Sequence, residues 1–172
     1  VPETAVAMMA TTAIGAVWSA ASPEFGARAV IDRFAQVRPR LLFVADGYRF
    51  GGQDFAREAA TREILAGLDS VEHVVWMPYL FPERRPPPGR ALSWKELLSG
   101  PEVPREKFRY ERVAYDHPLW VLFSSGATGL PKAIIHSHVG VLLEHCKITA
   151  FHLNVDAGSR VLLHSTTGWM MW

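Results

Sequence analysis

Cys146 is the only cysteine in the chain, so an internal disulfide is excluded. A chain without disulfides fits a reducing compartment, and the expected location is cytoplasmic. No block of five like charges occurs, and eighteen Lys and Arg nearly balance seventeen Asp and Glu. Nothing global therefore points to nucleic acid or to an anionic membrane surface. No repeat occurs at any period, which sets array architectures aside. Charge is also missing between Glu3 and Glu24. That gap raises a membrane span, but Thr11, Thr12, Gly15, Ser19 and many alanines keep its hydropathy modest. It suits a buried helix followed by a strand better than lipid. Val1-Pro2-Glu3 lacks the basic start of a signal peptide. The non-methionine start and the apolar finish at Trp172 both read as cuts from a longer protein.

What is present is a core: 49% of the 172 residues are apolar, enough for one domain. Residues 3–12 read as a helix and Ala16 to Trp18 as a short buried strand. Ser22-Pro23-Glu24 is a helix start signal, with a capping Ser, Pro at the first helical position and an acid favoured by the dipole. Phe25, Ala29, Val30 and Phe34 then repeat at helical spacing to about Gln36. Leu41 to Val44 is a continuous apolar run of strand length, with Asp46-Gly47 as a turn. Gln53 to Leu68 reads as a second helix and His73 to Trp76 as another strand. This alternation predicts an α/β fold, a mostly parallel sheet flanked by helices.

Residues 78–104 are rich in proline and read as a surface excursion, with Leu92 to Leu98 as a possible short helix and Arg84 and Arg85 in solvent. Leu119 to Phe123 is a strand, Ala133 to His138 a return strand and Val139 to about Leu153 a helix. Arg160 to His164 reads as a last strand before the segment Thr166 to Trp172.

Between the strand at Leu119 and its return lies Ser124-Ser125-Gly126-Ala127-Thr128-Gly129-Leu130-Pro131-Lys132. Gly126 and Gly129 permit backbone angles and close approach that a side chain would forbid. Backbone N–H groups in such a turn can form an anion-binding nest, with Ser124, Ser125 and Thr128 adding hydroxyls and Lys132 a point charge for phosphate oxygens. The pattern is neither Walker A nor GxGxxG. On composition alone, a phosphate site and a plain flexible hairpin turn both remain open.

Read whole, SSGATGLPKAIIHSH resembles the phosphate-loop signature of the acyl-adenylate-forming superfamily, Ser/Thr-Ser/Gly-Gly-Ser/Thr-Thr-Gly-x-Pro-Lys. The flanks, Ser22-Pro23-Glu24-Phe25-Gly26, Val30-Ile31-Asp32-Arg33-Phe34, His117-Pro118-Leu119-Trp120 and Thr166 to Trp172, are similar to the acetoacetyl-CoA synthetase branch. The resemblance implies that residues 1–172 are part of the large N-terminal AMP-binding domain, with the C-terminal domain absent. It implies an ATP-dependent acid–CoA ligase: ATP and a carboxylate give an acyl-adenylate and pyrophosphate, and the CoA thiol displaces AMP. Acetoacetate is the implied acid, with acetate or propionate as alternatives and a non-catalytic nucleotide-binding remnant as another. The implied small molecules are ATP, a short-chain keto acid and CoA, with Mg2+ as cofactor; oligomeric state is left open.

Carried over by position, Ser124, Ser125, Gly126, Thr128, Gly129 and Lys132 would hold the β- and γ-phosphates, with Lys132 the catalytic candidate. Gly168, Trp169, Met170 and Met171 match the segment bordering the acyl pocket, although ordinary core packing explains Trp169, Met170 and Met171 equally well. Ala127 departs from the signature, which has Thr or Ser there. The family's acidic Mg2+ residue, ribose-binding aspartate and C-terminal lysine belong to later motifs that these residues do not contain. The chain alone is therefore expected to be inactive, and a sheet interrupted mid-way would leave an unpaired edge.

Seven histidines invite a metal reading. His138, His145 and His152 recur every seven residues on one helical face, but each interval spans about 10 Å of axis, too far to share one ion. His136 and His138 point the same way on a strand without an evident third ligand. His145-Cys146 resembles no cysteine-hydrolase signature, and a partly buried helical cysteine is the expectation.

Overall fold

The computed structural model describes residues 1–84, 91–124, 129–162 and 165. Two three-stranded sheets and one hairpin carry the strands. In the first sheet, β1 (Trp18–Ser19) pairs in parallel with β7 (Pro118–Phe123), which pairs antiparallel with β8 (Ala133–Ser137). In the second, β2 (Leu41–Ala45), β5 (His73–Met77) and β6 (Ala91–Ser93) are parallel throughout. The α/β expectation therefore holds, and its physical basis is visible in β5. As the central strand it has Val74, Val75, Trp76 and Met77 all buried, which is why it reads as an unbroken apolar run and not as an alternation.

Helices α2 (Ala27–Val37) and α3 (Glu58–Gly67) cover the second sheet. Ala27, Val30 and Phe34 of α2 meet Leu42 of β2, Ile64 of α3 and Leu68 in one buried cluster. Each fully buried aliphatic or aromatic side chain there contributes roughly 1.5–3 kcal/mol. The ring of Phe34 also lies 6.5 Å from that of Phe123, so α2 touches both sheets.

Several expectations are corrected. Ser22 does not cap α2: Phe25 N–H donates to Ser22 O in a turn, the Ser22 hydroxyl donates to Glu24 at 2.5 Å, and Gly26 occupies the cap position. At Asp46-Gly47 the chain does turn, between two strands. Asp46 is wholly buried, and Gly47 begins a hairpin of β3 (Gly47–Phe50) and β4 (Gln53–Ala56). Gln53 to Ala56 are thus strand and not helix, because Arg49 pairs with Asp54 at 2.6 Å and Tyr48 stacks on Phe55 at 5.0 Å across the hairpin.

Helix α1 (Pro2–Ala13) forms, yet only Ala7 is buried, while Val6, Met9 and the following Ile14 are exposed. It packs against β1. Arg84 is not loose in solvent: its guanidinium donates to both Glu58 carboxylate oxygens and lies 4.0 Å from the Phe81 ring centre. Arg85 is outside the described residues. Helix α4 (Trp94–Leu97) is a single capped turn. Helix α5 (His138–Lys147) passes into a π-helical turn, Ile148–His152, where the Thr149 hydroxyl donates to His145 O. Cys146 is exposed on that helix, against the expectation of partial burial. Arg160, Val161 and Leu162 are not strand among the described residues, since no ladder partner lies beside them and Leu162 is 94% exposed.

Candidate functional site

The phosphate-loop stretch is bracketed by β7 and β8, whose register pairs Val121 with Ile135, Leu122 with Ile134 and Phe123 with Ala133. The ladder continues one step further. Ser124 N–H donates to Lys132 O at 3.0 Å, and Lys132 N–H donates to the Ser124 hydroxyl oxygen at 3.3 Å. These two candidate residues close the mouth of the loop between them. Because Ser124 Oγ acts as an acceptor there, its own proton is left to donate elsewhere.

Lys132 is exposed, and its ammonium makes no ion pair among the described residues. Most other cations near α2 are tied up: Arg28 with Asp32, Arg38 with Asp69 and Arg40 with Glu72. An unpaired lysine at the foot of a hydroxyl- and glycine-containing loop can neutralise a phosphate oxygen without first breaking a salt bridge.

A Cβ built on Gly129 would meet nothing within 4 Å among the described residues. Ser125, Gly126 and Thr128 lie outside the described residues, as do Ala127 and Gly168, Trp169, Met170 and Met171 of the acyl-pocket stretch.

One contact was invisible to sequence reasoning. The side-chain amide of Gln36, on α2, donates to Pro131 O at 2.7 Å across 95 positions of sequence. No motif announces it, since an exposed glutamine at the end of a helix looks like any other. The helix that follows the return strand is fixed by Ser137, whose hydroxyl oxygen accepts Gly140 N–H at 3.2 Å.

A cleft of about 930 Å3 runs between the two sheets. Trp18, Phe34, Leu42, Phe43, Val121 and Ile135 give it apolar walls, whereas Ser124, Gly129 and Lys132 do not line it. It reaches the loop only through Gln36 and Ala133. Among the described residues no group of three or more His, Cys, Asp or Glu is arranged to hold a metal ion. The described residues thus offer no cluster of three protein ligands for Mg2+. No helix of the described residues is long and apolar enough to cross a membrane.

Comparison with known proteins adds four findings. A family model described as "AMP-binding enzyme" matches residues 1–171. The chain is 38% identical over 99% of its length to the acetoacetyl-coenzyme A synthetase of Rhizobium meliloti (strain 1021), of which it covers 26%. It is 36% identical over 97% of its length to the malonamoyl-CoA synthetase of Penicillium aethiopicum, covering 24% of that protein. The solved acetoacetyl-CoA synthetase from Streptomyces lividans superposes with a TM-score of 0.89 at 44% identity, over 100% of this chain and 26% of that one. The chain spans about a quarter of the length of the curated relatives it matches.

Proposed function

Because this chain belongs to the family of AMP-binding enzymes, we propose that it is part of the N-terminal domain of an ATP-dependent acid–CoA ligase acting on acetoacetate. The reaction has two halves. The carboxylate oxygen of the acid attacks the α-phosphorus of ATP, and pyrophosphate leaves. The sulfur of CoA then attacks the acyl carbon, and AMP leaves with the electron pair of the broken C–O bond. A carboxylate is a poor electrophile until such a leaving group is attached, and the protein contributes positioning and charge neutralisation.

In this reading Lys132 places its ammonium against the β- and γ-phosphate oxygens, where negative charge accumulates as pyrophosphate departs. Ser124 donates its free hydroxyl proton, and Ser125, Gly126, Thr128 and Gly129 supply the remaining hydroxyl and backbone contacts. Gly168, Trp169, Met170 and Met171 border the acyl chain. The observation that carries the reading is the unpaired Lys132 at the closed mouth of the loop. The similar proteins support an acid with a carbonyl at the β-carbon, since acetoacetate and malonamate share one, over plain acetate or propionate. ATP and CoA are the proposed small-molecule partners and the cytoplasm the proposed location.

Acid-dependent ATP–pyrophosphate exchange on the full-length polypeptide tests this, comparing acetoacetate and malonamate with acetate, propionate and butyrate. Exchange with acetoacetate supports both the half-reaction and the acid. Exchange confined to another acid keeps the mechanism and moves the substrate. A folded polypeptide that exchanges with none of them would replace the ligase by a nucleotide-binding remnant.

A further inference from the structure

The peptide unit joining Pro131 to Lys132 is held from both ends. Its carbonyl accepts from Gln36 Nε2 at 2.7 Å, and its N–H donates to Ser124 Oγ at 3.3 Å. A peptide unit is a rigid plane, so two such contacts orient it as one plate. The next plate is fixed as well, because Lys132 O accepts Ser124 N–H at 3.0 Å. With the planes on both sides of its Cα held, the direction in which the Lys132 side chain leaves the backbone is set.

Gln36 is itself held. Its amide nitrogen also donates to Asp32 O, one turn back on α2, at 2.8 Å, so both amide protons are engaged. Two residues earlier, Phe34 packs its ring 6.5 Å from that of Phe123, the residue before Ser124. The helix is therefore seated against the strand that leads into the loop. Pro131 has no N–H, so the carbonyl that Gln36 takes is its only backbone hydrogen-bonding group.

We propose that Gln36 is a positioning residue that aims Lys132 at the nucleotide phosphates without touching the nucleotide. The proposal rests on the phosphate-binding reading of the loop. Its test uses the full-length polypeptide with Gln36→Met, which keeps the length of the side chain and removes both donors, and Gln36→Glu, which turns a carboxylate toward two carbonyl oxygens. Lys132→Ala is measured beside them. Both Gln36 variants are expected to slow ATP–pyrophosphate exchange about tenfold and to raise KM for ATP. KM for CoA and the thermal midpoint stay unchanged, because Gln36 is exposed.

Wild-type exchange in both Gln36 variants, alongside an impaired Lys132→Ala, would overturn the role of Gln36 and leave the loop assignment standing. A lowered thermal midpoint with KM for ATP and for CoA affected alike would reduce Gln36 to a structural contact and overturn it too. An unimpaired Lys132→Ala would sink the loop assignment first, and the role of Gln36 with it.

Discussion

Asp46 accepts the backbone N–H of Phe81 at 2.8 Å from a position wholly shielded from solvent. Its other carboxylate oxygen takes Leu80 N–H at 3.0 Å, while its main chain bonds Met77 and Arg57. One side chain thus joins the ends of β2 and β5 to the root of the proline-rich excursion. Asp46→Ala leaves two part-buried donors without their acceptor and should destabilise the protein by about 3 kcal/mol. Asp46→Asn, which keeps one acceptor, should cost less. Chemical denaturation measures both, and an Asp46→Ala value below about 1 kcal/mol would contradict the staple.

Two glycines predict opposite outcomes. A Cβ at Gly47 would sit 2.7 Å from the backbone oxygen of Phe55 and 2.9 Å from the Phe81 ring, neither of which can swing aside cheaply. Gly47→Ala should destabilise by roughly 1–3 kcal/mol. Gly129→Ala meets open space among the described residues, so its thermal stability should stay within about 0.5 kcal/mol of wild type. If the loop receives phosphate, KM for ATP should nonetheless rise in Gly129→Ala. Unchanged KM would mean that no ligand approaches that backbone.

The turn α4 carries a pH signature. Glu96 accepts Ser93 N–H at 2.7 Å, and Ser93 Oγ accepts Glu96 N–H at 3.1 Å. The Ser93 N–H bond foremost, and the Ser93 side chain after it, hold the Glu96 carboxyl below its ordinary value of 4.5. A depressed folded pKa contributes stability that is fully present above 4.5 and is lost as pH falls through the lowered value. Protection of the amides of residues 94–98, taken relative to the intrinsic exchange rate at each pH, should therefore fall on acidification below 4.5 in wild type. In Glu96→Gln that dependence should flatten.

How much could be read beforehand depends on the range of the interactions involved. Residues 41–44 and 73–76 read correctly as strands because 41–44 are apolar throughout and 74–76 follow His73 as an apolar run. The nine-residue loop was legible because its chemistry is contiguous. The hairpin at Gly47 was missed although Gly51-Gly52, both at positive φ, is a recognised hairpin turn. The helix expected over Gln53 to Leu68 starts instead at Glu58, because the cross-strand pairing of Arg49 with Asp54 claims Gln53 to Ala56. Gln36 was beyond reach, since its partner is 95 positions away and its residue type carries no signal.

Ala127 offers the last prediction, and Ser124 supplies its logic. The Ser124 hydroxyl already uses an acceptor position to hold the Lys132 amide, leaving a single proton for a phosphate oxygen. The family signature has Thr or Ser where this sequence has Ala127, so one donor is missing from a ligand with several charged acceptors. Ala127→Thr in the full-length polypeptide should lower KM for ATP about tenfold, near the small end of the ~1.5–3 kcal/mol that a hydrogen bond to a charged group contributes. KM for the acid should not move, because the added hydroxyl serves the phosphates alone. Unchanged KM for ATP would mean that Thr128, Lys132 and the backbone already saturate the phosphate oxygens. The alanine would then be a neutral departure and no sign of a weakened enzyme.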